Sequence, residues 1–231
     1  MITKPRRDDD ESDTELSALL FIPPTADLSA LREASARCRG CPLYKNATQT
    51  VFGEGELSSR VMFVGEQPGN DEDLSGHPFV GPAGRLFDQA LEAAGIDRST
   101  AYVTNTVKHF KWEANGQRRI HKKPSSREIA ACLPWLEREI ALIQPEVLVC
   151  LGATAAQSLL GRDFKVTQQR GIVIASPLAP NAIATIHPSA ILRQPTSDDR
   201  KREMDQFIAD LKVAGSLLGK APGPEAGKQG S

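Results

Sequence analysis

The chain has 231 residues, 40% of them hydrophobic, and its 28 basic side chains nearly balance 29 acidic ones for a net charge of −1. That composition fills one ordinary core and excludes a disordered or collagen-like chain. No apolar run nears the roughly 18 residues of a membrane span, and the polar N-terminus has no secretory apolar stretch, so no membrane partner and a cytoplasmic location are expected.

In chain order, residues 1–26 are expected as a loose tail, because Asp8, Asp9, Asp10 and Glu11 are followed by Pro23 and Pro24. One folded domain is expected over 27–214, and a second tail, rich in Gly, Ala, Pro and Lys, over 215–231. Residues 60–65 hold the continuous apolar run Val61-Met62-Phe63-Val64, with two β-branched residues, which predicts a buried strand. Residues 82–94 carry Leu86, Ala90 and Leu91 at helical spacing and stop at Gly95. A strand over 101–107 and a helix over 126–143 follow, the helix capped by Ser125 or Ser126 with Glu128 in its first turn. A strand is expected at 147–151, a helix at 153–160 ended by Gly161, and a hairpin arm or edge strand at 171–175. The last core strand is expected at 182–186 and the final helix at 198–213. Such alternation gives an α/β fold, a parallel sheet covered by helices on both sides, with ligands at the carboxyl ends of the strands.

The unusual residues cluster there. Gly65-Glu66-Gln67-Pro68-Gly69 makes a tight turn after the first strand; alone it reads as an ordinary strand-to-helix loop. Downstream, Asp71-Glu72-Asp73 leads into residues 76–84, where Phe79 sits among prolines and glycines rather than on a periodic face. A stacking platform for a base fits that setting. Asn105 follows the second strand, and its amide both donates and accepts, as a pyrimidine edge requires; a cap or turn role is the plainer alternative. His187-Pro188-Ser189 closes the last strand, where an imidazole either stabilises charge on a leaving base or is structural.

Together Glu66–Gly69, Phe79–Gly84, Asn105 and His187–Ser189 resemble the uracil-DNA glycosylase superfamily over roughly 35–213. The nearest match is to its iron–sulfur branches, family 4 and the UdgX type that cross-links to uracil-DNA. The resemblance implies a three-layer α/β/α sandwich with a four-stranded parallel sheet. It implies that Phe79 stacks on flipped uracil, that Asn105 pairs with its polar edge, and that His187 supports charge on the departing O2. Gly65, the backbone around Gln67, and Asp73 complete the expected substrate contacts. A base must leave the duplex to be reached, at a cost of a few kcal/mol.

Cys38-Arg39-Gly40-Cys41 is a C-x-x-C pair that suits one metal or cluster, and four cysteines without a secretory context argue against disulfides. Cys132, Cys150 and His109 are candidates to complete it, Cys150 being set aside as a buried strand thiol. Family 4 carries a cysteine where this chain has His109, a departure that looks like the UdgX type. The resemblance therefore implies Cys38, Cys41, His109 and Cys132 around a 4Fe–4S cluster; the same set suits tetrahedral zinc.

Residues 110–124 are expected as a long basic loop. Charge alone makes Arg118, Arg119, Lys122 and Lys123, with His121, a DNA-phosphate patch, and Ser189 is a further expected DNA contact. Gln117-Arg118-Arg119-Ile120-His121 resembles the loop that distinguishes the UdgX type, with Gln117 in place of its initial Lys. The resemblance implies that His121 attacks C1′ of the sugar, with Glu66 orienting it or accepting its proton, and His187 as the third catalytic residue. The expected partner is uracil-containing DNA, single-stranded included, bound by a monomer. The alternatives are a family 4 enzyme with turnover and a non-catalytic, metal-stabilised DNA-binding module. A dinucleotide enzyme is disfavoured because no G-x-G-x-x-G opens the first helix.

Overall fold

The computed structural model describes residues 17–218, so the expected tail segments 1–16 and 219–231 lie outside the described residues. In chain order the elements are α1 (Leu28–Ser35), β1 (Val61–Gly65), α2 (Asn70–Ser75), α3 (Pro82–Ala94) and β2 (Ala101–Asn105). There follow β3 (Trp112–Asn115), β4 (Arg118–His121), α4 (Ser126–Ile143), β5 (Val147–Leu151), α5 (Ala153–Leu159) and α6 (Val166–Gln169). The chain continues through β6 (Ile174–Ser176), β7 (Ala179–Thr185), α7 (Pro188–Leu192) and α8 (Ser197–Leu218).

The sheet runs β2-β1-β5-β7-β6. Its first four strands are parallel, as expected, and β6 adds a fifth, antiparallel edge through a tight link to β7. β1 and β5 read as unbroken apolar runs because both faces are covered. Met62, Val64, Tyr102, Leu148, Cys150 and Ala184 pack with residues of α1, α4 and α5. Val61, Phe63, Val103, Val149 and Ile183 pack on the other face with α3 and α8. α4 opens on a capping box: Ser125 Oγ accepts from the Glu128 N–H, and Glu128 accepts from the Ser125 N–H.

β1 has β2 on one side and β5 on the other, so the chain reverses direction across the sheet between β1 and β5. Open α/β sheets bind ligands outside the carboxyl ends of the strands at such a reversal. No helix among the described residues is long and apolar enough to cross a membrane.

Three expectations are corrected. Residues 17–26 are not loose: Ala18 is buried in a 3₁₀ turn against α4, and Phe21, Ile22 and Ala26 join the core. α8 passes the expected end at 213 and includes Gly215, because Ala214 remains in the core. Residues 110–124 are not an open loop but carry the antiparallel hairpin β3–β4. Its two-residue turn has Gly116 at φ +59°, the sign a II′ turn needs at that position.

Candidate active site

A cleft of about 770 Å³ opens at the carboxyl ends of β1, β2, β5 and β7 and is bounded on one side by β4. It brings together Glu66, Gln67, Phe79, Asn105, His121 and His187. Gly65 lies beneath: a Cβ there would meet Asn105 Oδ1 at 2.3 Å and the Phe79 ring at 2.9 Å. Its role is thus to let two expected base-binding side chains close over the strand end.

Phe79 holds φ +60°, a conformation that costs free energy in a residue with a side chain. Gly84 makes it possible, since a Cβ at Gly84 would lie 1.7 Å from the Phe79 carbonyl oxygen. Glu72 secures the same stretch by accepting from the N–H groups of Gly69 (3.0 Å) and Gly81 (2.8 Å). Phe79 lies 6.2 Å from the His187 ring at an interplanar angle of 29°. Gly84→Ala should cost about 1–3 kcal/mol by forcing atoms apart in a packed site. It should also reduce binding of uracil-DNA more than binding of matched DNA without uracil. Denaturant unfolding and oligonucleotide titrations check this, and unchanged selectivity would show that Phe79's placement does not matter to the base.

His187 precedes α7, and its Nδ1 accepts the Ser189 N–H at 3.1 Å, with Ser189 Oγ 2.8 Å away. A nitrogen that accepts a backbone N–H carries no proton, so the neutral ring holds its hydrogen on Nε2. Removal from water, aided by the charges of Arg193 and His121, pushes the His187 pKa down to about 4.

In the same cleft, His121 Nε2 lies 3.5 Å from Glu66 Oε1, and the His121 side chain is half exposed. The other carboxylate oxygen of Glu66 accepts from the hydroxyl of Thr154, at the start of α5. Glu66 therefore bridges the β1 and β5 ends at the reversal point. Phe110 supports the His121 ring at 6.0 Å.

The hairpin is held by side chains expected to do other work. Gln67 Nε2 donates to the carbonyls of Lys111 (3.2 Å) and Lys122 (3.0 Å), while its Oε1 accepts from the Lys111 N–H (3.1 Å). Its side chain clamps both roots of the hairpin. Asp73, expected at the substrate, is fully buried and accepts from Arg119 (2.6 Å) and from the Thr48 N–H. Arg119, expected on phosphate, packs over Phe110 and Trp112 and donates to Asn70 at 2.8 Å. Of the remaining expected DNA contacts, Lys122 pairs with Glu113, Ser189 serves His187, and Arg118 and Lys123 are exposed. Thr154 and Arg193 line the cleft and were not foreseen. Thr154 lies just beyond the β5 end, so the strand-end rule singles out its position.

A family model, Uracil DNA glycosylase superfamily, matches residues 52–212. The chain belongs to that superfamily. A Type-4 uracil-DNA glycosylase of Thermotoga maritima is 36% identical over 194 residues, covering 84% of this chain and 95% of that protein. Proteins of the same description from Pyrobaculum aerophilum and Archaeoglobus fulgidus are 36% and 35% identical, covering 73% and 79% of this chain and 86% and 89% of theirs.

In this superfamily member three of the four cysteines share one buried place. Burial raises the Cys41 pKa to about 11 and that of Cys132 to about 12, and the charges of Cys38 and Cys41 add to the Cys132 shift. Trp135 Nε1 donates to Cys38 Sγ at 3.3 Å and the Lys108 N–H to Cys132 Sγ at 3.2 Å. Buried sulfurs supplied with N–H donors are suited to thiolate ligands. His109 is buried, and its Nε2 meets Thr50 Oγ1 at 3.0 Å. Thr50 gives its one hydroxyl hydrogen to the Ser35 carbonyl, so Nε2 must be the donor and Nδ1 keeps the free lone pair. Cys150 sits within β5 in the core, its thiol raised to about 12 by burial alone. Among the described residues no three His, Cys, Asp or Glu side chains already converge on one ion.

Proposed function

We propose that this protein excises uracil from DNA and keeps the resulting deoxyribose on His121. The observation that carries the reading is that His121, beside Glu66, lines the same cleft as Phe79, Asn105 and His187. Excision is further supported by the relatives named as Type-4 uracil-DNA glycosylases.

Uracil enters extrahelically, stacked on Phe79 with its polar edge to Asn105. As the N1–C1′ bond breaks, its electron pair leaves with uracil, and His187 Nε2–H donates to O2, where negative charge grows. C1′ becomes strongly electrophilic. The imidazole of His121 supplies the electron pair for the new C1′ bond, and the positive charge that reaches its ring sits beside the Glu66 carboxylate. Uracil-containing DNA, single-stranded included, is the partner of a monomer, with Arg118, Lys123 and Arg193 toward the phosphates.

Cys38, Cys41, Cys132 and His109 would hold a 4Fe–4S cluster. Thiols gathered without converging on one point suit a cluster several ångströms wide better than a single tetrahedral ion. Its contribution is structural, joining the segment before β1 to α4 and to the β2 end. Purified protein should contain about four irons with matching sulfide. Stripping the iron should lower the unfolding temperature, and stoichiometric zinc without iron would overturn the assignment.

The deciding experiment incubates the protein with an oligonucleotide holding one uracil and separates the products under denaturing conditions. A one-to-one shifted band, absent with cytosine in place of uracil, is expected. Free uracil with repeated turnover and no shifted band would identify the conventional type-4 reaction instead. Intact uracil would overturn the glycosylase reading.

A further inference from the structure

We propose that the buried Lys108–Glu139 ion pair positions Asn105 and thereby sets the protein's selectivity for uracil. This rests on Asn105 as the base-reading residue.

Lys108 and Glu139 are 1% and 0% exposed and in direct contact, beneath the end of β2. The ammonium has three hydrogens, and three acceptors surround it: Glu139, Thr104 Oγ1 at 2.6 Å and the Asn105 carbonyl at 2.8 Å. One of its hydrogen bonds therefore goes to the backbone of the residue whose side chain enters the cleft. On the other side of the same peptide, the Thr106 N–H donates to the Gly65 carbonyl at 2.9 Å. The peptide that follows Asn105 is thus gripped at both its oxygen and its nitrogen, which fixes how the Asn105 side chain leaves the backbone.

Glu139 is held just as firmly. It accepts from the Gly53 N–H (3.0 Å), the Tyr102 hydroxyl (2.9 Å) and Thr104 Oγ1 (3.1 Å). Removing two charges from water costs several kcal/mol per ion, and apolar residues of like volume often fill such space at no loss of stability. What the pair supplies that apolar residues do not is direction: a donor aimed at one carbonyl. With Asn105 Oδ1 against Gly65, there is little room for the amide to turn and still meet a base.

The test uses Lys108→Met with Glu139→Gln. The double variant leaves no buried charge unpaired, and the amide oxygen introduced at position 139 can still accept from the Gly53 N–H and the Tyr102 hydroxyl. Equilibrium binding is measured to an oligonucleotide bearing a 2′-fluorinated uridine that resists cleavage, and to its cytosine counterpart. Unfolding temperature and iron content are followed in parallel. The uracil-over-cytosine preference should fall about tenfold, the scale of one lost hydrogen bond. In single-turnover adduct formation, the half-saturating concentration of uracil-DNA should rise more than the limiting rate falls, and iron content should hold. A folded double variant with wild-type preference would overturn the proposal. Thr104→Val, which removes one of the three acceptors, should lower the preference in the same direction by less. If the double variant does not fold, this variant decides, and an unchanged preference then overturns the proposal. Asn105→Ala marks the separate failure: if it keeps the preference, base reading by Asn105 falls and the positioning role with it.

Discussion

His121→Ala should abolish the shifted band while uracil continues to be released. The histidine is half exposed at the end of β4, with its ring on Phe110 and its Nε2 toward Glu66, so truncation removes little packing. Phe79, Asn105 and His187 keep their places, because they lie before α3, at the end of β2 and before α7 rather than on the hairpin. Truncation also opens space beside Glu66, whose carboxylate stays anchored by Thr154 and can accept a proton from water entering there. Near-stoichiometric trapping should become turnover. Quantifying free uracil and bound DNA in one time course checks this. A variant that still forms the denaturation-resistant complex would show that another residue makes the bond.

The same hairpin marks the limit of what the sequence made legible. The apolar runs of β1 and β5 and the capping box of α4 carry their own signals, so the layered fold could be read directly. β3 and β4 are four-residue strands, mostly exposed and polar, with no hydrophobic alternation to find. What makes them a hairpin is tertiary: Gln67 at the roots, Arg119 on Asp73, and two aromatic rings under the guanidinium. The one local signal was Gly116, which with Gln117 makes the Gly-first pair of a II′ turn. The cleft's membership was legible because Glu66, Asn105 and His187 follow strand ends. The division of labour within it was not. A buried Asp73 bonded to Arg119 and an exposed Asp at a substrate look alike in sequence, and only the packing tells them apart.

His187→Ala should slow cleavage of the glycosidic bond about 10²- to 10³-fold, the loss expected when one preorganised donor to a developing oxyanion is removed. Binding of uracil-DNA should change little, because the hydrogen bond strengthens only as charge moves onto O2. The adduct should form at the slowed rate, since His121 can act only once C1′ is released. Rapid-quench single-turnover measurements give both rates, and loss of binding with an unchanged rate would assign His187 to recognition instead. The pKa adds a second, signed test. The ring's folded value is about 4 against an ordinary 6.5, so between those pH values the unfolded chain binds the proton more readily. His187 therefore costs no stability above about pH 6.5, and a penalty grows as pH falls toward 4. His187→Ala should flatten that part of the stability profile, measured by denaturant unfolding at several pH values. A wild-type profile equally steep in the variant would mean that other groups carry the acid sensitivity, and that burial does not hold this ring neutral.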